Sequence, residues 1–331
     1  MNHKHLKILY KRICTVVLIV LCTLSVCGCT TPIQPVTYTD YYFDTVVSLT
    51  FYENNGNELA EECFTLCETY ENLLSRTVEG SDVWLINHSN GSPITISSET
   101  YEMIKEALYY CELTQGKIDI TVAPLMDLWQ FTDNTKERIP PSPEEINALL
   151  AHVDYTQIVL GDNNTITLQD PEASIDLGFI AKGYITDKIK EYLISQGVTS
   201  AIINLGGNIC TIGNKPDGSA YTIGIQEPFA PTGTTIDTFT LYDSCAVTSG
   251  TYERYFTYND TIYHHIIDAT TGYPADNGLT SVTILCNSAT EADALSTTCF
   301  VLGTEEALTL IRSVNDTECI FIDEEGNFYE S

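Results

Sequence analysis

"LTSVTILCNSATEADALSTTCFVLG", residues 279–303, changes its period part-way along. The first eight residues are β-branched or apolar and read as a buried strand. Asn287 breaks the run, and Ser288-x-x-Glu291 fits a helix-opening capping box. The residues after that box are helical in pattern up to Gly303, a natural stop. Upstream lie further strand-like runs: "SAIINL", "NICTIG", "AYTIGIQE", "TIDTFTLY" and "TIYHHIID". Downstream come the helical "TEEALTLIRSV" and a last hairpin around Glu325-Gly326. Strands and helices are therefore grouped, not alternated, which predicts an α+β fold and excludes a doubly wound sheet.

The same helix carries a misfit. Asp293 sits between Ala292 and Ala294, and Thr297 follows one turn later on the same face. An unpaired carboxylate in such surroundings costs several kcal/mol or becomes protonated. Two readings stay open from spacing alone: an ordinary hydrogen-bonded Asp, or a ligand to a hard cation that accepts carboxylate, hydroxyl and carbonyl oxygens.

The N-terminal half reads as mixed. "DTVVSLTFY" alternates like a half-buried strand, and residues 57–76 and 98–114 have helical periodicity. Ser142-Pro143-Glu144-Glu145 is a helix start, and "QIVLGDNNTITL" a hairpin. A helix is expected from about Phe179 to Gln196, with Gly197 as its stop.

Composition narrows the function. The 331 residues carry a formal net charge of −30, which argues against nucleic acid as a partner. Lys4, Lys7, Lys11 and Arg12 precede the apolar "ICTVVLIVLCTLSV" and Val26-Cys27-Gly28-Cys29, which resembles a bacterial lipoprotein cleavage box. The expected organisation is a signal peptide over residues 1–28, a tether over 29–40 behind a lipidated Cys29, and one domain over 41–331. That places the domain outside the cytoplasm, held at the cell membrane; an uncleaved anchor helix would do the same. Removing the leader takes away four basic residues and no acidic one, so the remainder is more acidic still. Its cysteines show no metal-binding spacing and are expected to be mostly small core residues.

Several stretches suit chemistry without proving it. In "IDLGFIAKGY", Gly178 and Gly183 flank Lys182 near a helix start, where backbone approaches anions closely. Lys182 suits a phosphate or a flavin edge, or is a surface Lys with a buried stem. "NLGGNI" permits a tight bend, and Thr248-Ser249-Gly250 offers small donors. His264 and His265 are adjacent in a strand and should face opposite ways. Asp119 in "GKIDITVAPLMDLWQF" either bonds a base or caps a loop.

Taken in order, "GKIDITVAPLMDLW", "DLGFIAKGY", "NLGGNI", "TSGTYERYF", "HIIDATTGYP" and "TSVTILCNSATEADALSTTCFVLG" resemble the ApbE family of flavin transferases, from about Tyr42 to Phe328. The resemblance implies an ApbE-type α+β fold with a tunnelling-fold-like core, and transfer of FMN from FAD onto a protein threonine with release of AMP. It implies Mg²⁺, or Mn²⁺, on Asp293, Ser296, Thr297 and the Phe179 carbonyl. It implies flavin and adenine contacts from Phe43, Thr77, Lys117, Ile118, Asp119, Asp176, Lys182 and Ile267, and His265 as the catalytic base, with His264 structural. Phe43-Asp44-Thr45 stands where Met-Gly-Thr is usual. The implied partner is an extracytoplasmic redox protein with a flavinylation-type threonine motif. The rivals are a metal-dependent FAD pyrophosphatase yielding FMN and AMP, and a flavin-binding lipoprotein without catalysis.

Overall fold

The structure is a computed structural model, and it describes residues 34–53, 55–131 and 138–331. The expected leader, Cys29 and the first part of the tether lie outside the described residues. The chain divides after Gln34, and the larger unit is Pro35–Ser331.

An eight-stranded sheet organises this unit. Its spatial order is Val36–Tyr42, Thr45–Phe51, Ser200–Leu205, Asn208–Gly213, Cys245–Gly250, Leu279–Cys286, Glu318–Asp323 and Phe328–Glu330. Every neighbouring pair is antiparallel. Ala201, Ile203 and Leu205 point to one face, into a large core shared with the helices Gly56–Leu74, Ala181–Ser195 and Ala289–Leu302. Ile202 and Ile209 point to the other, onto Tyr221, Ile223 and Leu241 of a two-stranded ribbon, Tyr221–Gln226 with Thr235–Leu241. The period of two read in "SAIINL" thus divides two cores. Among the described residues no helix is long and apolar enough to cross a membrane.

Two expectations change. Val36–Tyr42 is a strand paired along Thr45–Phe51, so the tether drawn to residue 40 is ordered sheet from Val36 onward. The connection is two residues, Phe43 and Asp44, at φ 54° and 56°. Such a tight hairpin usually calls for Asn or Gly, so Phe43 gives no hairpin signal in sequence. The run "TIYHHIID" is not one strand: Thr261–His264 ends at the first His, and Ile267–Asp268 belongs to a separate pair. The described cysteines are mostly core residues, as expected, while Cys210 and Cys245, opposite each other in register, form a disulfide. Cys63, Cys67, Cys111, Cys286, Cys299 and Cys319 are buried free thiols.

Candidate active site

The Ala289–Leu302 helix is set by its start. Ser288 is the N-cap, accepting from Glu291 N at 3.2 Å. The other first-turn donors go to Asp187, which reaches over from the Ala181–Ser195 helix. Its carboxylate accepts from Ser288 Oγ (2.8 Å), Ala289 N (2.9 Å), Thr290 N (2.9 Å) and Thr290 Oγ1 (2.7 Å). This cap fixes Asp293 one turn inside the helix, only 2% exposed.

Gly183 lets the two helices meet there. A Cβ on Gly183 would lie 2.2 Å from the Ala289 carbonyl oxygen and 2.7 Å from Asp293 Cβ. With no side chain in the way, Gly183 N donates to Asp293 Oδ2 at 2.8 Å. Gly183 is in the first turn of its helix, so its N–H has no carbonyl within the helix to bond and is available to Asp293. Lys182 Nζ sits 3.4 Å from Asp293 Oδ1. Burial pushes the Asp293 pKa up, while Lys182 first, then Gly183 N–H and Asn208, oppose the shift.

Oxygen donors gather beside this carboxylate. Ser249 Oγ lies 2.8 Å from Ser296 Oγ and 3.1 Å from Thr297 Oγ1. Ser296 itself is fully buried and donates back to the Asp293 carbonyl at 2.9 Å. Ser249 and Thr297, not Ser296, line the open space. The sequence signal for Ser249 is the "TSG" run, which gives no hint of the helix 47 residues on.

That space is a cleft of about 950 Å³. It is lined by Phe43, Thr77, Ile118, Asp119, Asp176, Phe179, Lys182, His265, Ile267, Asp293 and Thr297, so segments far apart in sequence converge as expected. The structure sets two expected residues apart. Ser296 stands behind Ser249. Lys117 turns away to Glu306, 3.3 Å off, and offers only its carbonyl to Ala269 N. Asp119 lines the cleft but its carboxylate is already used, accepting from Thr121 N (2.8 Å), Thr121 Oγ1 (2.6 Å) and Tyr155 N (2.8 Å). Those bonds hold a buried acid whose pKa burial raises.

His264 and His265 face different ways, although the strand that would have alternated them ends at His264. His264 turns inward, its Nε2 3.1 Å from the Ala275 carbonyl. His265 faces the cleft, anchored by its backbone N–H to the Arg254 carbonyl at 3.0 Å. Its Nδ1 is buried without a hydrogen-bond partner. Burial first, then the positive charge of Arg254, His264 and Lys182, pulls its pKa down to about 3. The ring is therefore neutral at ordinary pH.

Sequence reasoning missed the arginines. Arg76 spans Asp127 Oδ1 (2.6 Å) and Asp176 Oδ2 (2.9 Å), and Arg138 and Arg254 also line the cleft. Only the fold brings these scattered cations together. Even so, among the described residues the lining holds six carboxylates against four Lys and Arg side chains. An anionic ligand entering here needs further positive charge. The Asp293 carboxylate and the Ser249 and Thr297 hydroxyls, with Phe179 also in the lining, make an oxygen-rich set that fits a hard divalent cation. The buried Asn208 Nδ2, also without a partner, lies near enough to act on Asp293.

The model of the ApbE family matches residues 43–321. The FAD:protein FMN transferase of Klebsiella pneumoniae strain 342 is 35% identical over 271 residues, 81% of this chain and 83% of that one. The FAD:protein FMN transferase of Treponema pallidum strain Nichols is 30% identical over 326 residues, 93% of this chain and 90% of that one. Among solved structures, the ApbE protein of Thermotoga maritima superposes with a TM-score of 0.82 at 34% identity, covering 90% of this chain and 97% of that one. The flavin transferase ApbE of Vibrio cholerae gives 0.76 at 29% identity, covering 90% and 96%.

Proposed function

The chain belongs to the ApbE family, and from that membership and the cleft's geometry we propose that it is an FAD:protein FMN transferase. FMN passes from FAD to a threonine of an acceptor protein, and AMP leaves. The observation that carries this reading is one juxtaposition. A neutral imidazole with an unpartnered nitrogen shares a cleft with Asp293, Thr297, Ser249 and Phe179.

Asp293, Thr297, Ser249 and the Phe179 carbonyl would hold Mg²⁺ or Mn²⁺. A divalent cation there supplies positive charge against the FAD pyrophosphate. Lys182, now the partner of Asp293, would be released toward the phosphates. The incoming threonine oxygen forms a bond to the flavin-side phosphorus, the bond to the AMP phosphate breaks, and the threonine proton goes to His265. Burial is the main cause of its low pKa, and a bound pyrophosphate would offset only the smaller part due to Arg254 and Lys182. Phe43, on its strained turn at the cleft, and Ile118 and Ile267 supply apolar contacts for the ring system.

We further propose that the chain acts at the extracytoplasmic face of the cell membrane, lipidated at Cys29, on an extracytoplasmic redox protein. The test incubates the full chain in detergent with FAD, Mg²⁺ and a candidate redox protein. Flavin fluorescence that stays with the denatured acceptor supports transfer. Free FMN and AMP without labelled acceptor would support the pyrophosphatase reading. Retained, uncleaved FAD would make the chain a flavin binder.

A further inference from the structure

The two-stranded ribbon Tyr221–Gln226 and Thr235–Leu241 is rooted on the outer sheet face through Tyr221, Ile223 and Leu241. Its connecting loop is braced from within. Gln226 Nε2 donates to the carbonyls of Glu227 (3.0 Å), Ala230 (3.3 Å) and Pro231 (3.3 Å), and Gln226 Oε1 accepts from Gly233 N at 3.0 Å. At the tip stands Phe229, at φ 59° and 47% exposed. A bulky side chain in the left-handed region is costly and persists only when its surroundings impose it.

The ring of Phe229 meets two tyrosines edge-on, Tyr255 at 5.3 Å and Tyr252 at 6.1 Å between centroids. Tyr255 lines the cleft, pairs in register with His264, and follows the Arg254 carbonyl that anchors His265. Arg138 adds a further tie, donating to the Tyr255 carbonyl at 3.3 Å. Phe229 is not itself part of the cleft lining. A cofactor contained in the cleft therefore has no need of it, and neither does an attacking water. Through Tyr255, the exposed Phe229 ring adjoins the cleft that His265 lines.

We propose that Phe229 and Tyr255 form a specificity lip that seats an apolar side chain of the acceptor polypeptide, close in sequence to the hydroxyl that receives FMN. This rests on the transferase reading above. Two rigid rings present a wide apolar surface at low entropic cost, as aromatic anchors do at interfaces.

The test uses the full chain in detergent with FAD, Mg²⁺ and a library of randomised peptides, each with one fixed central threonine. Covalently flavin-labelled peptides are recovered and sequenced, and FAD affinity is measured separately from flavin fluorescence. The wild type should enrich aromatic and large aliphatic residues at fixed positions beside the threonine. Phe229→Ala should lower labelling of those enriched peptides by about tenfold or more, with FAD affinity unchanged. Phe229→Leu, which keeps apolar bulk, should recover most of the loss. An enrichment profile that Phe229→Ala leaves intact overturns the lip. So does a Phe229→Ala loss of FAD affinity equal to the loss of labelling, which would assign the rings to FAD. A wild type that cleaves FAD yet labels no peptide removes the transferase reading, and the lip with it.

Discussion

Asp293 is costly where it stands, and its neighbours show what offsets the cost. One oxygen takes the Gly183 N–H and the other faces Lys182 at 3.4 Å. Asp293→Asn keeps an acceptor for Gly183 but removes the negative charge. It should fold, yet bind Mn²⁺ at least tenfold more weakly by electron paramagnetic resonance, the loss of one charge-assisted contact being about 1.5–3 kcal/mol. Metal-dependent turnover should fall to background; unchanged turnover would move the metal elsewhere. His265→Gln should leave FAD affinity intact and lower transfer by about 10²–10⁴-fold, the usual worth of a positioned base. The paired histidines also set acid stability. The pKa of His264 is pulled down from 6.5 to about 4, chiefly by burial, and that of His265 to about 3. At these two positions the unfolded chain binds more protons between pH 6.5 and 4, so their contribution to stability is full above that window and falls as pH drops through it. At about 1.4 kcal/mol per pKa step, His264 accounts for about 3 kcal/mol of that fall at most. Urea unfolding of a His264→Asn variant should show a correspondingly shallower acid slope than the wild type; parallel slopes would mean that His264 is not neutral when folded.

At the scale of elements, the site exists because two helices touch at one glycine. Gly183→Ala places a Cβ 2.2 Å from the Ala289 carbonyl, backbone that cannot swing aside. Overpacking of this kind costs about 1–3 kcal/mol. The helices must separate, so the Gly183–Asp293 bond should lengthen and metal affinity fall together with the urea midpoint. A variant of wild-type stability and affinity would show that the contact is slack. This dependence on packing also explains what the sequence disclosed. The strands "SAIINL", "NICTIG" and "LTSVTILC" and the Ser142 cap follow from local period and residue type, and they appear as read. The opening strand Val36–Tyr42 did not, because six of its seven side chains are polar or aromatic hydroxyl residues and its turn uses Phe43 where Asn or Gly is the usual signal. Nor could spacing distinguish Ser296 from Ser249, since that depends on which hydroxyl the sheet brings to the helix face. Lys117 illustrates the same limit, its direction being set by Glu306, 189 residues away.

The whole molecule poses an electrostatic problem that its active site must overcome. A chain of formal charge −30 is to bind an anionic dinucleotide in a cleft where, among the described residues, carboxylates outnumber Lys and Arg side chains. At long range the field repels the ligand; at short range Arg76, Arg254 and Lys182 attract it. The two ranges separate with salt, because the Debye length shrinks from about 30 Å at 0.01 M to about 8 Å at 0.15 M. Repulsion acting over tens of ångströms is screened first, whereas contacts within the cleft are screened least. The association rate of FAD, followed by stopped-flow quenching of flavin fluorescence without divalent metal, should therefore rise several-fold across that range, opposite to the behaviour of an electrostatically steered binder. With saturating Mg²⁺ the dependence should flatten, since a site cation reduces the charge that FAD meets on arrival. An association rate that falls with salt would mean that the clustered basic side chains dominate the approach, and that the cleft does not need a metal to admit its substrate.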